Sequence, residues 1–227
     1  MLSEIETKHG VFIRESKNRF LCEVMMDGEL LECYVPSSSR MENYLSIVNK
    51  EVLLTKNKEG GRTKYSLFAV KIKGKYIILN LNKINSILKE LIESNRFKAY
   101  KGYKAFIEKK TGDYKSDLLL CKRNEEILVE VKGVISEKKT ASFPHVYTER
   151  GVRQLKQLKE LLIQGKKVDY LLISLSPYVK DIKIFDGNQD YLQALNECLT
   201  QGMNIIAYKL IFDGEKIKLS SNICISR

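Results

Sequence analysis

The chain reads as an α/β protein of the α+β kind, with a small all-β part over residues 1–81 and a mixed-sheet part over residues 82–227. Three observations predict this. Strand-like runs joined by Gly-bearing turns fill the first part. At about residue 82 the period changes, because INSILKELIES places Ile84, Ile87, Leu88, Leu91 and Ile92 on one helical face. Beyond that helix, strands and helices alternate in the manner of a mixed sheet flanked by helices.

In the first part, FLCEVMM and ELLECYV flank Asp27-Gly28, EVLLTKN ends at Glu59-Gly60-Gly61, and SLFAVKI and KYIILN flank Lys73-Gly74. These five strands, with RMENYLSIV as a short helical candidate, predict a small β-barrel or a curled sheet. If Asp27-Gly28 forms a two-residue turn, facing positions sum to 55 and Cys22 lies opposite Cys33. That pair could bridge or stay reduced, and a cytosolic chain favours the thiols.

In the second part, three strand candidates follow the helix: YKAFIEK, SDLLLC and EILVEVKGV. A helix from about Thr148 to Gln164 stops at Gly165, whose lack of a side chain suits a helix C-terminus. Then come VDYLLIS, a helix around YLQALNECL, the strand NIIAYKL and a terminal hairpin at Asp213-Gly214.

Composition bounds partner and compartment. Thirty-nine Lys and Arg against 28 Asp and Glu leave a formal charge of +11, which favours a polyanion, DNA or RNA, over an acidic small molecule. A Lys-rich solvated surface is the plainer account of the same excess. No stretch approaches the roughly 18 apolar residues of a membrane span, and MLSEIETKHG lacks the order of a signal peptide, so a cytoplasmic chain without membrane contact is expected. Five cysteines without C-x-x-C read as reduced thiols. With only His9 and His145, no G-x-S-x-G and no G-x-x-x-x-G-K-[ST], hydrolase-triad and P-loop readings have no support, and no small-molecule cofactor is expected.

The chemistry-bearing pattern is LVEVKG. Strand alternation puts Glu130 and Lys132 on one face and Val129 and Val131 on the other, core-facing one. A carboxylate at Glu130 can bind a divalent cation, and Lys132, about 7 Å along the strand, can position a water and offset phosphate charge. If Arg123-Asn124 is the centre of a two-residue turn, facing positions sum to 247 and Asp117 faces Glu130 with Cβ atoms about 5 Å apart, whereas a centre one residue on sets Asp117 opposite Lys132 on the same face. The helix upstream offers Glu90 as a further acid. An ordinary half-exposed strand is the competing account of Glu-Val-Lys, and the facing Asp117 weakens it.

Asp117 followed by Glu130-Val131-Lys132 resembles the PD-(D/E)XK nuclease superfamily, whose core has the same αβββαβ order. More specifically, ASFPHVYTERGVRQL, NRFLCEV, VPSSSRMENYL and VEVKGV resemble the sugar fermentation stimulation protein family, SfsA, over Asn18 to about Tyr208. The resemblance implies an N-terminal OB-like β-barrel, a C-terminal nuclease-like domain, sequence-nonspecific binding of single- or double-stranded DNA, and a role in regulating sugar metabolism. It marks Glu90, Asp117, Glu130, Lys132 and Gln154 as the nuclease-like site, with Asp117, Glu130 and Val131 holding Mg²⁺ or Mn²⁺. The chain departs from the family where Pro36-Ser37-Ser38-Ser39-Arg40 replaces Pro-Asn-x-Gly-Arg, where Tyr114-Lys115 replaces Ser-Arg, and where Gln154 replaces a His.

Nucleic-acid contacts are expected from Arg19, Arg40 and Lys115, from Lys138 and Lys139 in a long loop able to act as a flap, and from Thr148, Arg150 and Arg153 at a helix start. The exposed N–H groups of that start favour a phosphate, while Thr148 could equally be a plain N-cap. Phe20, Tyr34, Tyr44, Tyr65 and Tyr76 could stack on bases or simply pack in the barrel. His145 reads as a solvated loop residue.

Overall fold

The computed structural model describes residues 5–37, 39–145, 148–220 and 222–226. Ser38, Val146 and Tyr147, part of the strings that carry the family resemblance, lie outside the described residues. Six strands form the first sheet: β1 (Lys8–Glu15), β2 (Leu21–Met26), β3 (Glu29–Tyr34), β4 (Glu51–Lys56), β5 (Tyr65–Ile72) and β6 (Lys75–Ile78). Their order is β3-β2-β1-β4-β5-β6, and a parallel pairing of Tyr34 with Ser66 joins β3 to β5. That pairing closes β1 to β5 into a five-stranded OB-like barrel, which removes the edges an open sheet would expose. The β2–β3 register places Cys22 opposite Cys33, as the turn arithmetic requires, and both are buried free thiols.

Two expectations are corrected. KHGVFIRE is a full strand, β1, not foreseen because its short apolar run carries Gly10 and charges. RMENYLSIV is not a helix beyond a 3-10 turn at Met41–Asn43. Its buried Leu45 and Ile47 are two apart, a spacing that no helical face provides.

The second part opens with α1 (Ile84–Glu93), whose five predicted apolar residues are all buried. Its sheet runs β7 (Lys104–Ile107), β10 (Leu118–Lys122), β11 (Glu125–Val134), β13 (Lys167–Ser174), β15 (Asn204–Phe212) and β16 (Ile217–Leu219). The order is β16-β15-β13-β11-β10-β7, antiparallel at both ends and parallel along β11, β13 and β15. A ribbon of β8 (Lys110–Thr111) and β9 (Tyr114–Lys115) projects between β7 and β10. Helices α2 (Glu149–Ile163) and α3 (Gln189–Thr200) provide the long crossovers that parallel neighbours need.

Both faces of this sheet are covered, so the face carrying Leu128 and Glu130 is not the half-exposed one that alternation implied. Val129 and Val131 belong to a core shared with α1 and the barrel, and Leu128 and Val134 to a second core under α2 and α3. The barrel and sheet join through Phe68 and Phe212, whose rings meet edge-on at 5.1 Å, and through Ile78 N–H, which donates to the Leu175 carbonyl at 2.9 Å.

The expected flap is partly a strand. β12 (Thr140–Phe143) pairs in parallel with β14 (Asp181–Ile184), which pairs with β17 (Cys224–Ser226). The Asp213-Gly214 hairpin is present as β15–β16 but does not end the strand order, since β17 follows.

Candidate active site and nucleic-acid interface

The β10–β11 hairpin sets the site. Leu118 faces Val129 and Lys122 faces Glu125, so facing positions sum to 247 and Asp117, one residue before β10, comes level with Glu130. Where β10 leaves off, the Asp117 side chain takes over: Oδ2 accepts the Val131 N–H at 2.8 Å. A strand residue's N–H and C=O lie along the same edge, which puts the Val131 carbonyl on the Asp117 side of β11. Asp117 Oδ1 accepts from Asn85 Nδ2 at 3.2 Å.

Asn85 stands in the first turn of α1, and Gly133 brings that turn close. An added Cβ at Gly133 would lie 2.6 Å from Leu81 Cδ2 and 3.1 Å from Ile84 Cδ1. Glu90, half-buried on the same helix, is turned about 140° from Asn85 at about 100° per residue. Asn85 is the α1 residue seen hydrogen-bonded to Asp117 among the described residues.

Glu130 is 2% exposed, yet three side-chain donors meet it. Oε1 accepts from Lys132 Nζ at 2.7 Å and Gln154 Nε2 at 3.0 Å, and Oε2 accepts from the Tyr114 hydroxyl at 2.6 Å. Lys132 Nζ also donates to Gln154 Oε1 at 2.9 Å and lies 5.8 Å from the centroid of the buried Tyr170 ring. A buried charge needs this degree of satisfaction to be tolerated. Burial, and then the charge of Glu130, push the Asp117 carboxyl above its ordinary range. Burial, with Glu130 again adding to it, pushes the Tyr114 phenol well up, so it remains a donor.

The structure thus joins Asp117, Glu130, Lys132 and Gln154, and adds Asn85 and Tyr114, which sequence reasoning missed. Thr148 caps α2, its Oγ1 accepting the Gly151 N–H at 3.2 Å. Arg150 and Gln154, four residues apart, share a face of that helix, and the Arg150 charge is felt at Tyr114. Arg150, Arg153 and Lys115 are exposed, and Lys115 ion-pairs with Glu108. Lys138 and Lys139 are exposed before β12, where the Lys139 carbonyl accepts from the Lys180 N–H at 2.7 Å.

In the barrel, the Arg40 guanidinium donates to the carbonyls of Ser16 at 3.4 Å and Lys17 at 3.0 Å. Arg19 is exposed over the Phe20 ring at 4.7 Å, and Phe20 stacks on Tyr34 with centroids 6.5 Å apart. Tyr65 is buried and Tyr76 packs on Phe212. His145 is not simply solvated. Its Nε2 is hydrogen-bonded to the Asn43 carbonyl, and its ring lies 5.5 Å from Tyr44.

Could the cluster hold a metal? Asp117, Glu130 and the Val131 carbonyl are hard oxygen donors of the kind Mg²⁺, Mn²⁺ and Ca²⁺ prefer. Burial first, and then repulsion from Glu130, raise the Asp117 carboxyl, and a divalent cation would offset both. The set fits such an ion with water completing its shell. Among the described residues, no group of three or more His, Cys, Asp or Glu is placed to hold one.

An OB-like barrel sharing a core with a mixed sheet that carries a facing Asp–Glu pair and a lysine defines the class of protein. Residues 15–79 match the family model for the SfsA N-terminal OB domain, and residues 82–216 match that for the sugar fermentation stimulation protein RE domain. The chain belongs to the sugar fermentation stimulation protein family. It is 31% identical to a homologue from Pelagibacter ubique over 94% of each chain, and 32% identical to one from Caldanaerobacter subterraneus over 88% of each. Its structure is similar to that of Pyrococcus furiosus SfsA in complex with Ca²⁺, with a TM-score of 0.86 at 25% identity, covering 98% of this chain and 96% of that one. No helix among the described residues is long and apolar enough to cross a membrane.

Proposed function

We propose that this chain is a sequence-nonspecific DNA-binding protein whose cluster of Asp117, Glu130 and Lys132 binds a divalent cation and hydrolyses phosphodiester bonds, in the manner of PD-(D/E)XK nucleases. The observation that carries the reading is the buried Glu130, level with Asp117 and held by Lys132 and Gln154. A bound cation would supply charge stabilisation for a phosphoryl oxygen and a more acidic water. Lys132, tethered between Glu130 and Gln154, would orient that water and offset charge on the phosphate. The Ca²⁺ complex of the Pyrococcus furiosus relative supports an oxygen-donor cation site. The charge of +11 supports the polyanion, and a link to sugar metabolism follows from the family's name.

A second reading has its own observation. Both Glu130 oxygens already accept protein donors, which suits a DNA-binding regulator that keeps the fold without cutting.

Incubation with supercoiled, linear and single-stranded DNA and with RNA, in Mg²⁺, Mn²⁺ or EDTA, separates the two. Cleavage should require metal and fall about 100-fold or more in Glu130→Ala and Lys132→Ala. Cleavage that ignores EDTA, or mutants that cut as well as wild type, would rule out this site. Salt-sensitive binding without any cutting would establish the regulator.

A further inference from the structure

Beside the cluster, the edge strand of the sheet is both apolar and basic, and α1 caps part of it: Lys89 Nζ donates to the Ala105 carbonyl at 2.5 Å and the Ala105 N–H donates to Glu93 Oε1 at 3.3 Å. β7 ends the strand order, and its Phe106 and Ile107 are 43% and 39% exposed. Phe106 pairs with Leu119 and Leu119 with Leu128, so the Phe106 ring lies on the sheet face that carries Glu130 and Lys132. The β8–β9 ribbon that follows β7 in the chain sets Lys110 directly opposite Lys115. Like charges so placed destabilise a ribbon unless an anion lies between them. Among the described residues, Lys115 has an acid to answer it, Glu108, and Lys110 has none, while Lys104 and Lys109 add exposed positive charge.

The ribbon is also tied to the site. Thr111 and Tyr114 pair on its other face, and Tyr114 donates to Glu130. At its base, the Glu108 N–H donates to the Asp117 carbonyl at 3.0 Å, and the Ser116 N–H to the Lys109 carbonyl at 3.2 Å.

We infer that this edge is the track along which a single strand of nucleic acid reaches the Asp117–Glu130 cluster, with Lys110 and Lys115 holding a backbone phosphate and Phe106 stacking on a base. The inference rests on the proposed function and adds which form of nucleic acid enters and by which side. An exposed ring among lysines matches unpaired bases, whose faces are free, whereas a duplex keeps its bases stacked on one another. A second copy of the chain is the competing occupant of an exposed sheet edge. Lysines along an edge strand oppose it, since their charge disfavours strand pairing with a second copy.

The test is fluorescence anisotropy of a labelled single-stranded oligonucleotide and of a hairpin duplex, with each variant first shown to be folded by circular dichroism. Phe106→Ala should weaken single-strand binding about tenfold and change duplex binding less than about twofold, and Phe106→Trp should restore it. Lys110→Ala/Lys115→Ala should lower the slope of log affinity against log salt by about 1.4 for the single strand. Lys166→Ala/Lys218→Ala, equal in charge but elsewhere, should change neither substrate. Wild-type binding that both edge variants retain would overturn the track alone. So would equal losses for strand and duplex, or a dimer that Phe106→Ala converts to monomer in size-exclusion chromatography. Absence of any nucleic-acid binding by wild type would instead overturn the proposed function.

Discussion

Two carboxylates of the same sheet each accept a hydrogen bond from a buried tyrosine, Asp169 half-buried and Glu130 fully buried, and they do different work. Tyr100 donates to Asp169 Oδ2 at 2.7 Å, and Asn204 Nδ2 reaches Asp169 Oδ1 at 3.3 Å. Tyr114 donates to Glu130 at 2.6 Å. In each case burial, helped by the neighbouring carboxylate, holds the phenol well above its ordinary range. Asp169's hydrogen-bonding partners are neutral, a phenol and an amide. Glu130 adds an ammonium from Lys132 and a second carboxylate level with it across the hairpin. A tyrosine is therefore a general means of burying an acid. The facing Asp117 and the lysine are what turn one of these pairs into a candidate cation site.

Removing each acid should separate the pairs most widely. Glu130→Ala leaves the half-buried Lys132 without its carboxylate, and breaking a pair with one fully buried partner costs about 3 kcal/mol. Asp169→Ala leaves only neutral donors unpaired, which costs about 1–3 kcal/mol. Urea unfolding with and without Mn²⁺ adds the discriminating readout. Mn²⁺ should stabilise wild type and Asp169→Ala but not Glu130→Ala, and a Glu130→Ala protein still stabilised by Mn²⁺ would place the cation elsewhere.

The contrast also explains what could be read from the sequence. Asp117, Glu130 and Lys132 were legible because strand parity and a two-residue turn are local rules, and the observed register obeys both. Gln154 followed from the resemblance to the family. Tyr114 was not legible, because it sits on a strand of two residues with no period to detect. Asn85 was missed because scanning α1 for acids finds Glu90, whereas the chain brings an uncharged amide to Asp117 through the close approach at Gly133. In the fold, the helices and the barrel strands with clean alternation were visible. β12, β14 and β17 were not, since short parallel strands gain their stability from partners far along the chain.

Tyrosine-to-phenylalanine substitutions should produce a smaller effect, and one that differs in kind. Tyr100→Phe and Tyr114→Phe each lose one hydrogen bond from a buried phenol to a carboxylate, about 1–3 kcal/mol by urea unfolding. Tyr114→Phe also frees an Oε2 lone pair of Glu130, so Mn²⁺ affinity measured by calorimetry should hold or rise, and Tyr100→Phe should leave it unchanged. A loss of Mn²⁺ affinity in Tyr114→Phe equal to that in Glu130→Ala would make the phenol part of the cation site itself.

The smallest effect lies in pH dependence. Asp117 and Asp169 are both raised, chiefly by burial. A carboxyl raised on folding favours the native state while protonated, so its contribution is full below the unfolded value near 3.8 and is lost as pH rises through the folded value. Asp117→Asn and Asp169→Asn remove that loss, and the stability of each relative to wild type should improve as pH increases from about 4 to about 7. The two sites part when metal is added. Saturating Mg²⁺ should narrow the gap for Asp117→Asn, because the cation compensates the wild-type carboxylate, and should leave the gap for Asp169→Asn unchanged. Identical Mg²⁺ responses in the two variants, measured by urea unfolding across this range, would remove the distinction between a structural acid and a cation ligand.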